Sequence, residues 1–439
     1  MNIFYSILDY INIIFIAFTM LPTFVQVLYM IVAFFVKKTT FKESETKEKI
    51  AVLIPCRNEE KVLHNLLKDL QNQKYPKDKY DIIVICHNCT DNTKDVAMEN
   101  GAIVFECYSK EKLKGKALEL AINEYLKDKY DYAFYTIIDA DCRVDKMYLS
   151  KINDAYCSGV DIARTYVDST NTFDNSISCV GALYITRDER LTARVRQKLK
   201  MNVQLIGCSF FMSRKLLNDL GGFPSSNSLT EDADLMVKCM LNKYRIQYVE
   251  DAICYTEQAT KLGEVFKRNM RLGKGVNKIF WLDGYKLLAK FFTTLKFTYL
   301  DIFLTLAFLP ISIISCVWFP IYYVFLILKM IITDSSVLHM TMQMDMQTFV
   351  PMAILVVGIM IIMMSMQGLV SIILQKDRLL SQNKFRQYFK GILMMTPIML
   401  FTNFAITCGI FNPKQSWKNV KRKGTDNVDA DSSFNNNNQ

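Results

Sequence analysis

Two short acidic patterns in this chain are placed to do chemistry. Asp139-Ala140-Asp141 follows the apolar run Phe134 to Ile138. Two carboxylates one residue apart at a strand end offer hard oxygen donors, suited to Mg²⁺ or Mn²⁺ and, with the ion, to a diphosphate. Asp-x-Asp is also common in solvated turns, so the strand end is what singles this pair out. Thr230-Glu231-Asp232 offers a carboxylate able to deprotonate a hydroxyl. A purely structural reading competes with it. Ser228 and Glu231 are spaced as a capping box, and acids favour the first turn of a helix.

Three other clusters bear on the same chemistry. Lys114-Gly115-Lys116-Ala117 opens a helical stretch. Lysine there opposes the helix dipole unless an anion sits nearby, although a solvated loop with Lys110 and Lys112 would look similar. Cys86-His87-Asn88-Cys89 has the spacing of thiol redox or zinc chemistry. With three histidines in the chain and no second paired-ligand motif, cysteines flanking a ligand loop are the plainer reading. Lys267-Arg268-Asn269-Met270-Arg271 suits either a membrane surface or a diphosphate clamp.

The elements that must position these residues are legible from Ile50 onward. Ile50 to Pro55, Asp81 to Cys86, Ala102 to Cys107 and Tyr132 to Asp139 read as strands. Between them, Val62, Leu63, Leu66, Leu67 and Leu70 recur at helical spacing. Thr90 is placed to cap a second helix that ends at Gly101, and Ala117 to Tyr125 forms a third. Strands alternating with helices predict an α/β domain with a mainly parallel sheet. In such sheets ligands bind beyond the carboxyl ends of the strands, where Pro55 to Glu60, Cys86 to Thr93 and Asp139 to Asp141 all fall.

The 439 residues are 51% hydrophobic and 22% charged, but these averages mix two populations. Ile11 to Val36 carries no charge and is long enough to cross a bilayer at about 1.5 Å per residue. A cleaved leader fits it poorly, because no basic residue precedes it and no small-residue cleavage site is evident. Residues 299–332 are apolar but interrupted by Asp301, Pro310, Pro320 and Lys329. Residues 348–374 carry no charge, and 391–411 form a weaker span. Basic clusters follow residues 36, 374 and 411, and the loop 333–347 has no Lys or Arg. This predicts 37–297 on the cytoplasmic side of a plasma membrane and 333–347 outside. A single crossing by 391–411 conflicts with basic clusters on both its sides. Either that segment is re-entrant or interfacial, or 299–332 crosses twice. The net charge of +10 lies largely beside the spans and favours anionic lipid; no nucleic-acid module is recognisable. The Asn-rich tail from Gly424 is expected to be disordered. The domains read as an anchor 1–36, a catalytic region 47–280, interfacial and transmembrane helices 281–411, and a basic then polar tail 412–439.

Taken in order, these motifs resemble the membrane-integrated family 2 glycosyltransferases of GT-A fold, which include cellulose, chitin, hyaluronan and poly-N-acetylglucosamine synthases. Ile54-Pro55-Cys56-Arg57-Asn58-Glu59 resembles the family's opening strand end, and Asn88-Cys89-Thr90-Asp91-Asn92-Thr93 its nucleotide loop. Gly115-Lys116-Ala117 is similar to the donor lysine motif, Asp139-Ala140-Asp141 to the Asp-x-Asp, and Gly207-Cys208-Ser209 to the acceptor-side glycine segment. Leu229-Thr230-Glu231-Asp232 is similar to the Thr-Glu-Asp bearing the general base.

The resemblance implies inverting transfer from a nucleotide sugar, usually a UDP-sugar. It assigns Asp232, with Glu231, to catalysis, and Asp139 and Asp141 to the metal. Pro55, Glu59, His87, Asp91, Lys116, Asp139, Arg268 and Arg271 go to donor binding. The implied partners are a saccharide or lipid acceptor, anionic membrane lipid and other synthase-complex subunits. The chain departs from the pattern twice. His87 stands where the family usually has an Asp that contacts the base. Arg268-Asn269-Met270-Arg271-Leu272 stands for Gln-x-x-Arg-Trp, keeping only the second arginine, which counts against long processive synthesis. Two alternatives follow: transfer of one sugar to a lipid, or a non-catalytic subunit that binds nucleotide sugar.

Overall fold

The computed structural model describes residues 2–126, 131–224, 228–333, 362, 365–374 and 385–411. The expectations for the loop 333–347, most of the span 348–374, the basic residues Lys376, Arg378 and Lys384, and the tail from 412 lie outside these residues. The described chain forms two compact units. One comprises residues 38–174 and 203–259, and the other residues 1–37, 175–202 and 260 onward. The segment 175–202 interrupts the first unit, which ends before Thr260.

The first unit is built on an eight-stranded sheet. Its strands are β1 (Ile50–Cys56), β2 (Tyr80–His87), β3 (Ile103–Cys107), β4 (Phe134–Ile138), β5 (Cys142–Val144), β6 (Ile162–Ser169), β7 (Ser209–Ser213) and β8 (Gln247–Thr256). The spatial order is β3-β2-β1-β4-β7-β6-β8-β5. The α/β class is as expected, but the sheet is mixed. β1, β2, β3 and β4 pair in parallel, as do β6 and β8. β7 runs antiparallel to both β4 and β6, and β5 antiparallel to β8. Every residue of β1 is buried, as a central strand with both faces covered requires. The helix Leu63–Gln71 covers one face by burying Leu63, Leu66, Leu67 and Leu70, one stripe at helical spacing.

Two details of this topology make the site. The chain runs β1, β2, β3 outward and then returns to place β4 on the other side of β1. The β1/β4 boundary is therefore the point where strand order reverses, and ligands bind outside such points. β1 and β4 pair only as far as Leu53 with Ile137. Pro55, which has no N–H to donate, lies just beyond that ladder and stays in register with β2 alone.

The second unit is helical. Residues 299–332 fall inside one continuous helix, Phe297–Thr333, so the tight two-span alternative gives way to a single helix. The helix Asn2–Ala33 buries Val25, Tyr29, Met30 and Ala33 along one stripe and exposes Ile13, Ile14, Phe24 and Ile31. Asp301, which interrupts the apolar pattern, is accounted for by Arg196. The Arg196 Nε donates to one Asp301 oxygen at 2.8 Å, and Nη2 donates to the other at 3.2 Å and to Thr305 Oγ1 at 3.0 Å. The guanidinium also lies 5.6 Å from the Tyr29 ring centre. An isolated carboxylate among apolar helices would cost several kcal/mol, which this pairing offsets.

The helices Leu262–Ile279 and Phe385–Ile410 cross at backbone contact. A Cβ on Gly273 would meet the Ile406 carbonyl oxygen at 2.1 Å, and one on Gly409 the Met270 carbonyl oxygen at 2.0 Å. Neither oxygen can retreat without moving its helix. Gly273→Ala is therefore expected to destabilise the helical unit by about 1–3 kcal/mol, the usual cost of overpacking. Gly263→Ala is the control, since nothing lies within 4 Å of its Cβ position on the same helix. Thermal unfolding in detergent checks the pair. A Gly273→Ala melting temperature equal to that of Gly263→Ala would show that the helices do not depend on this crossing.

Candidate active site

The centre of the site is a buried ammonium. Lys114 opens the helix Lys114–Glu119, and its Nζ lies 2.6 Å from Asp139 Oδ1 and 3.1 Å from Glu231 Oε1. It donates to the Gly207 carbonyl oxygen at 2.6 Å. Three donors thus meet three acceptors, from the end of β4, from the residues before β7 and from the first turn of the helix Glu231–Leu241. Burial alone would push the Lys114 ammonium down. The Asp139 and Glu231 carboxylates outweigh this and hold it up, so it stays charged.

Asp232 shares this surrounding without pairing with Lys114. Its Oδ1 accepts from the Ala233 N–H at 2.9 Å. A Cβ at Gly207 would come within 3.2 Å of Asp232 Oδ2 and 3.4 Å of Glu231 Oε1, so glycine leaves room beside both carboxylates. Burial, then repulsion from Glu231, push the Asp232 carboxyl up to about 7; Lys114 and the backbone N–H groups of Ala233 and Gly207 pull the other way. That range suits a general base working near neutrality. The capping box expected from Ser228 and Glu231 does not form. Thr230 is the N-cap residue, and the Glu231 carboxylate turns to Lys114 instead.

Asp139 and Asp141 flank the turn out of β4. The Asp139 N–H donates to the Cys208 carbonyl at 3.1 Å, and the Cys142 N–H to the Asp139 carbonyl at 3.0 Å. The strand that follows is anchored by Arg143, whose Nη2 donates to Asp69 Oδ1 at 2.7 Å. Among the described residues no cluster of three or more His, Cys, Asp or Glu side chains is arranged to hold a metal ion. Two carboxylates nonetheless fit Mg²⁺ or Mn²⁺, which commonly take one or two protein carboxylates and complete their shell with water and substrate phosphates.

The nucleotide-side residues converge on the ends of β1 and β2. Asn58 (φ 58°) and Asn88 (φ 50°) adopt left-handed conformations that asparagine tolerates better than most residues. Asn58 Oδ1 accepts from the Thr90 N–H at 2.8 Å, and the Glu59 N–H donates to Thr93 Oγ1 at 2.9 Å. Asp91 accepts from the Glu60 N–H at 3.2 Å, the Thr93 N–H at 3.2 Å and the Thr93 hydroxyl at 2.6 Å. Its carboxylate therefore ties the two loops together, and the N-cap residue of the helix Thr93–Glu99 is Asn92, not Thr90. Gly101 closes that helix with φ 69°, as expected.

His87 is fully buried. Its Nε2 lies 2.8 Å from Ser109 Oγ, and the Ser109 hydroxyl donates to the Glu111 carbonyl at 2.7 Å. Nε2 also lies 3.3 Å from the Asn88 amide nitrogen, which would suit an acceptor there; with the serine proton on the Glu111 carbonyl, the serine oxygen instead accepts from a His87 Nε2–H. Nδ1 is then a bare acceptor, and it has no protein partner. Burial, aided by repulsion from Arg57, pushes His87 down to about 4, so the ring is neutral at pH 7.

The structure thus brings Asp139, Glu231 and Asp232 together, with Asp141 on the same turn, and gathers Pro55, Glu59, His87 and Asp91 at the neighbouring strand ends. Lys116 is not at the centre: it pairs with Glu119 at 3.1 Å. Arg268 and Arg271 lie on the helix Leu262–Ile279 of the other unit. Sequence reasoning singled out the cluster from Lys114 to Ala117 but gave the donor contact to Lys116, and it missed Ser109. For Lys114 the signal was its place at the first residue of a helix facing the ligand edge.

The chain is similar to several known glycosyltransferases. It is 22% identical over 242 residues to the glycosyltransferase AglE of Haloferax volcanii, covering 54% of this chain and 76% of that one. It is 24% identical over 332 residues to the poly-β-1,6-N-acetyl-D-glucosamine synthase of Staphylococcus epidermidis, covering 72% and 77%. Among solved structures it is similar to the mannosyltransferase PcManGT of Pyrobaculum calidifontis, in complex with GDP-Man and Mn²⁺. That likeness has 16% identity and a TM-score of 0.48 over 82% of this chain and 97% of the other. Residues 48–275, just over half of the chain and the span holding every motif above, match the family described as "Glycosyltransferase like family 2". A mixed sheet with its carboxylates at the β1/β4 switch point, inside that matched span, is the GT-A domain of a glycosyltransferase, and the chain belongs to glycosyltransferase family 2.

Proposed function

We propose that this enzyme is a membrane-bound inverting glycosyltransferase that moves a sugar from a UDP-sugar to a saccharide or lipid acceptor. The observation that carries this reading is Asp232, a carboxylate with a pKa raised to about 7, beside the glycine at residue 207 and one ammonium away from Asp139. Asp232 takes the proton of the acceptor hydroxyl as its oxygen attacks the anomeric carbon. The bond from that carbon to the diphosphate oxygen breaks, and the nucleoside diphosphate leaves on the opposite face. Lys114 supplies positive charge on the donor side of the carboxylates and keeps Glu231 turned away from the acceptor. A divalent cation held by Asp139 and Asp141 would offset negative charge on the leaving diphosphate.

His87 supports the choice of base. A neutral imidazole with Nδ1 as acceptor suits a base with a ring N–H on its recognition edge, uracil or guanine, and opposes cytosine or adenine, whose corresponding ring nitrogens are acceptors. The hexosamine polymer named for the Staphylococcus relative makes a UDP-N-acetylhexosamine a natural first donor to try. Membrane attachment is supported by Ser6–Ala33 and Tyr388–Ile410, two helices long and apolar enough to cross a bilayer. Retention of the base, its lysine and both metal carboxylates favours an enzyme over a non-catalytic subunit.

Three outcomes test the assignment. Asp232→Asn should bind UDP-sugar as the wild type does while transfer falls by about 10²-fold or more, the range for loss of a general base. Unchanged turnover would remove Asp232 from the chemistry. Asp141→Ala should lose the metal-dependent part of donor binding, measured by titration calorimetry with and without Mn²⁺. Equal affinities for wild type under both conditions would argue against a metal. In the wild type, kcat/KM should fall as pH drops through about 7, because the base must be ionised. Glu231→Gln removes the like charge that raises Asp232, so its acid limb should shift to lower pH. A shift to higher pH, or none, would show that another group sets the limb.

A further inference from the structure

The segment 175–202 brings two arginines against the same apolar helix, Asn2–Ala33, and they are treated differently. Arg196, at the level of Tyr29, is paired with Asp301. The Arg187 Nε donates to Gln367 Oε1 at 2.5 Å, its Nη2 donates to Gln26 Oε1 at 3.1 Å, and its guanidinium lies 5.5 Å from the Tyr184 ring centre. These partners are all neutral. Among the described residues Arg187 makes no ion pair, and its neighbours Asp188 and Glu189 are engaged in contacts of their own. Gln26 sits roughly 10 Å of helix rise before Ala33, within the uncharged run Ile11 to Val36.

A cation set among apolar helices needs a counter-charge. Carboxamide oxygens orient it but do not neutralise it. Here two glutamines, one on each of two apolar helices, fix the plane of the guanidinium and leave its Nη1 edge unused. Arg187 is only partly buried. A planar fork of N–H donors matches a phosphate. The same two helices also carry exposed apolar side chains, Met20, Phe24 and Ile31 on one and Met366, Leu369 and Ile373 on the other, that an acyl or prenyl chain could cover.

We propose that Arg187, aimed by Gln26 and Gln367, is the seat for the phosphate of a phosphorylated lipid. The seat rests on the membrane reading above and takes a phosphate ester carried on an apolar tail. A lipid acceptor and an anionic bilayer lipid share that chemistry. Free phosphate has the charge without the tail.

The test uses the full chain in detergent, with dihexanoyl phosphatidic acid and inorganic phosphate as probes, followed by ³¹P line broadening and titration. The wild type should bind the lipid saturably, and inorganic phosphate should not displace it. Arg187→Gln should weaken lipid binding about tenfold or more, the scale of one charge-assisted hydrogen bond. It should leave UDP binding unchanged, which reports that the catalytic unit is folded. If that variant fails to fold, Gln26→Leu combined with Gln367→Leu keeps the charge and removes its aim, and it should weaken the lipid in the same direction. Unchanged lipid affinity in a folded variant overturns the seat, as does equal competition by inorganic phosphate. Release of the wild type from membranes by alkaline carbonate overturns the membrane reading and the seat with it. Retention with unchanged affinity in Arg187→Gln overturns the seat alone.

Discussion

One buried ammonium sets the charge balance on which the site depends. Lys114 is 12% exposed and Glu231 7%. Asp139, Glu231 and Asp232 crowd around a single positive charge, and burial makes each ionised carboxylate costly. Lys114 spends its three N–H groups on Asp139, Glu231 and the Gly207 carbonyl, so Asp232 keeps only backbone N–H groups as partners. Burial pushes the Asp139 carboxyl up too, against the pull of Lys114, and it pushes Asp232, which has no lysine, up to about 7. The split of roles between neighbouring acids thus follows from where one cation is bound, not from any difference between the acids.

The sheet explains why these groups meet. Lys114 comes from the crossover after β3, Asp139 from the end of β4, and Glu231 and Asp232 from the helix entered after β7. They are far apart in sequence, and only the return of the chain to β4 beside β1 gathers them. The hydroxyls of Tyr148, Ser209, Thr136 and Thr165 form a buried cluster behind β4, β6 and β7, with Tyr148 2.8 Å from Ser209 and 3.0 Å from Thr136. That cluster ties down the first residue of β7, next to Gly207 and Cys208, which carry the acceptors for Lys114 and Asp139. Polar groups satisfied inside a core in this way fix geometry more than they add stability.

Much of this was legible in the residues, and what was not has physical reasons. The parallel half of the sheet reads well because β1, β2 and β4 are continuous apolar runs bounded by turns. The antiparallel half does not: β6 and β8 contain Arg164, Asp168, Glu250 and Asp251, and no periodicity marks β5, which is three residues long. Asp139 is legible because it ends a buried strand at the ligand edge, and Asp232 because it stands within an ordered set of motifs. Choosing between Lys114 and Lys116 is different, because both lie in one helical turn and only the side-chain direction separates them. The capping-box spacing of Ser228 and Glu231 misleads for a related reason: a local rule gives way to a lysine more than a hundred residues earlier in the chain. The charged stretch 187–196 hid among apolar neighbours, because pairing across helices leaves no mark in local sequence.

His87 shows how a departure from the family pattern can keep a function while changing its charge. An aspartate at this position would offer an acceptor and a negative charge. Ser109 holds the imidazole as an Nε2–H donor, which leaves Nδ1 as an acceptor of the same sense without the charge. Burial and Arg57 keep the ring neutral down to about 4. Protonation would convert that acceptor to a donor, but only well below the range in which Asp232 titrates. On the proposed roles the two groups therefore separate: base recognition would stay constant from weakly acidic to neutral pH, while the proton-accepting step alone would follow Asp232. Exchanging a carboxylate for imidazole also removes one negative charge from the edge where a diphosphate must approach.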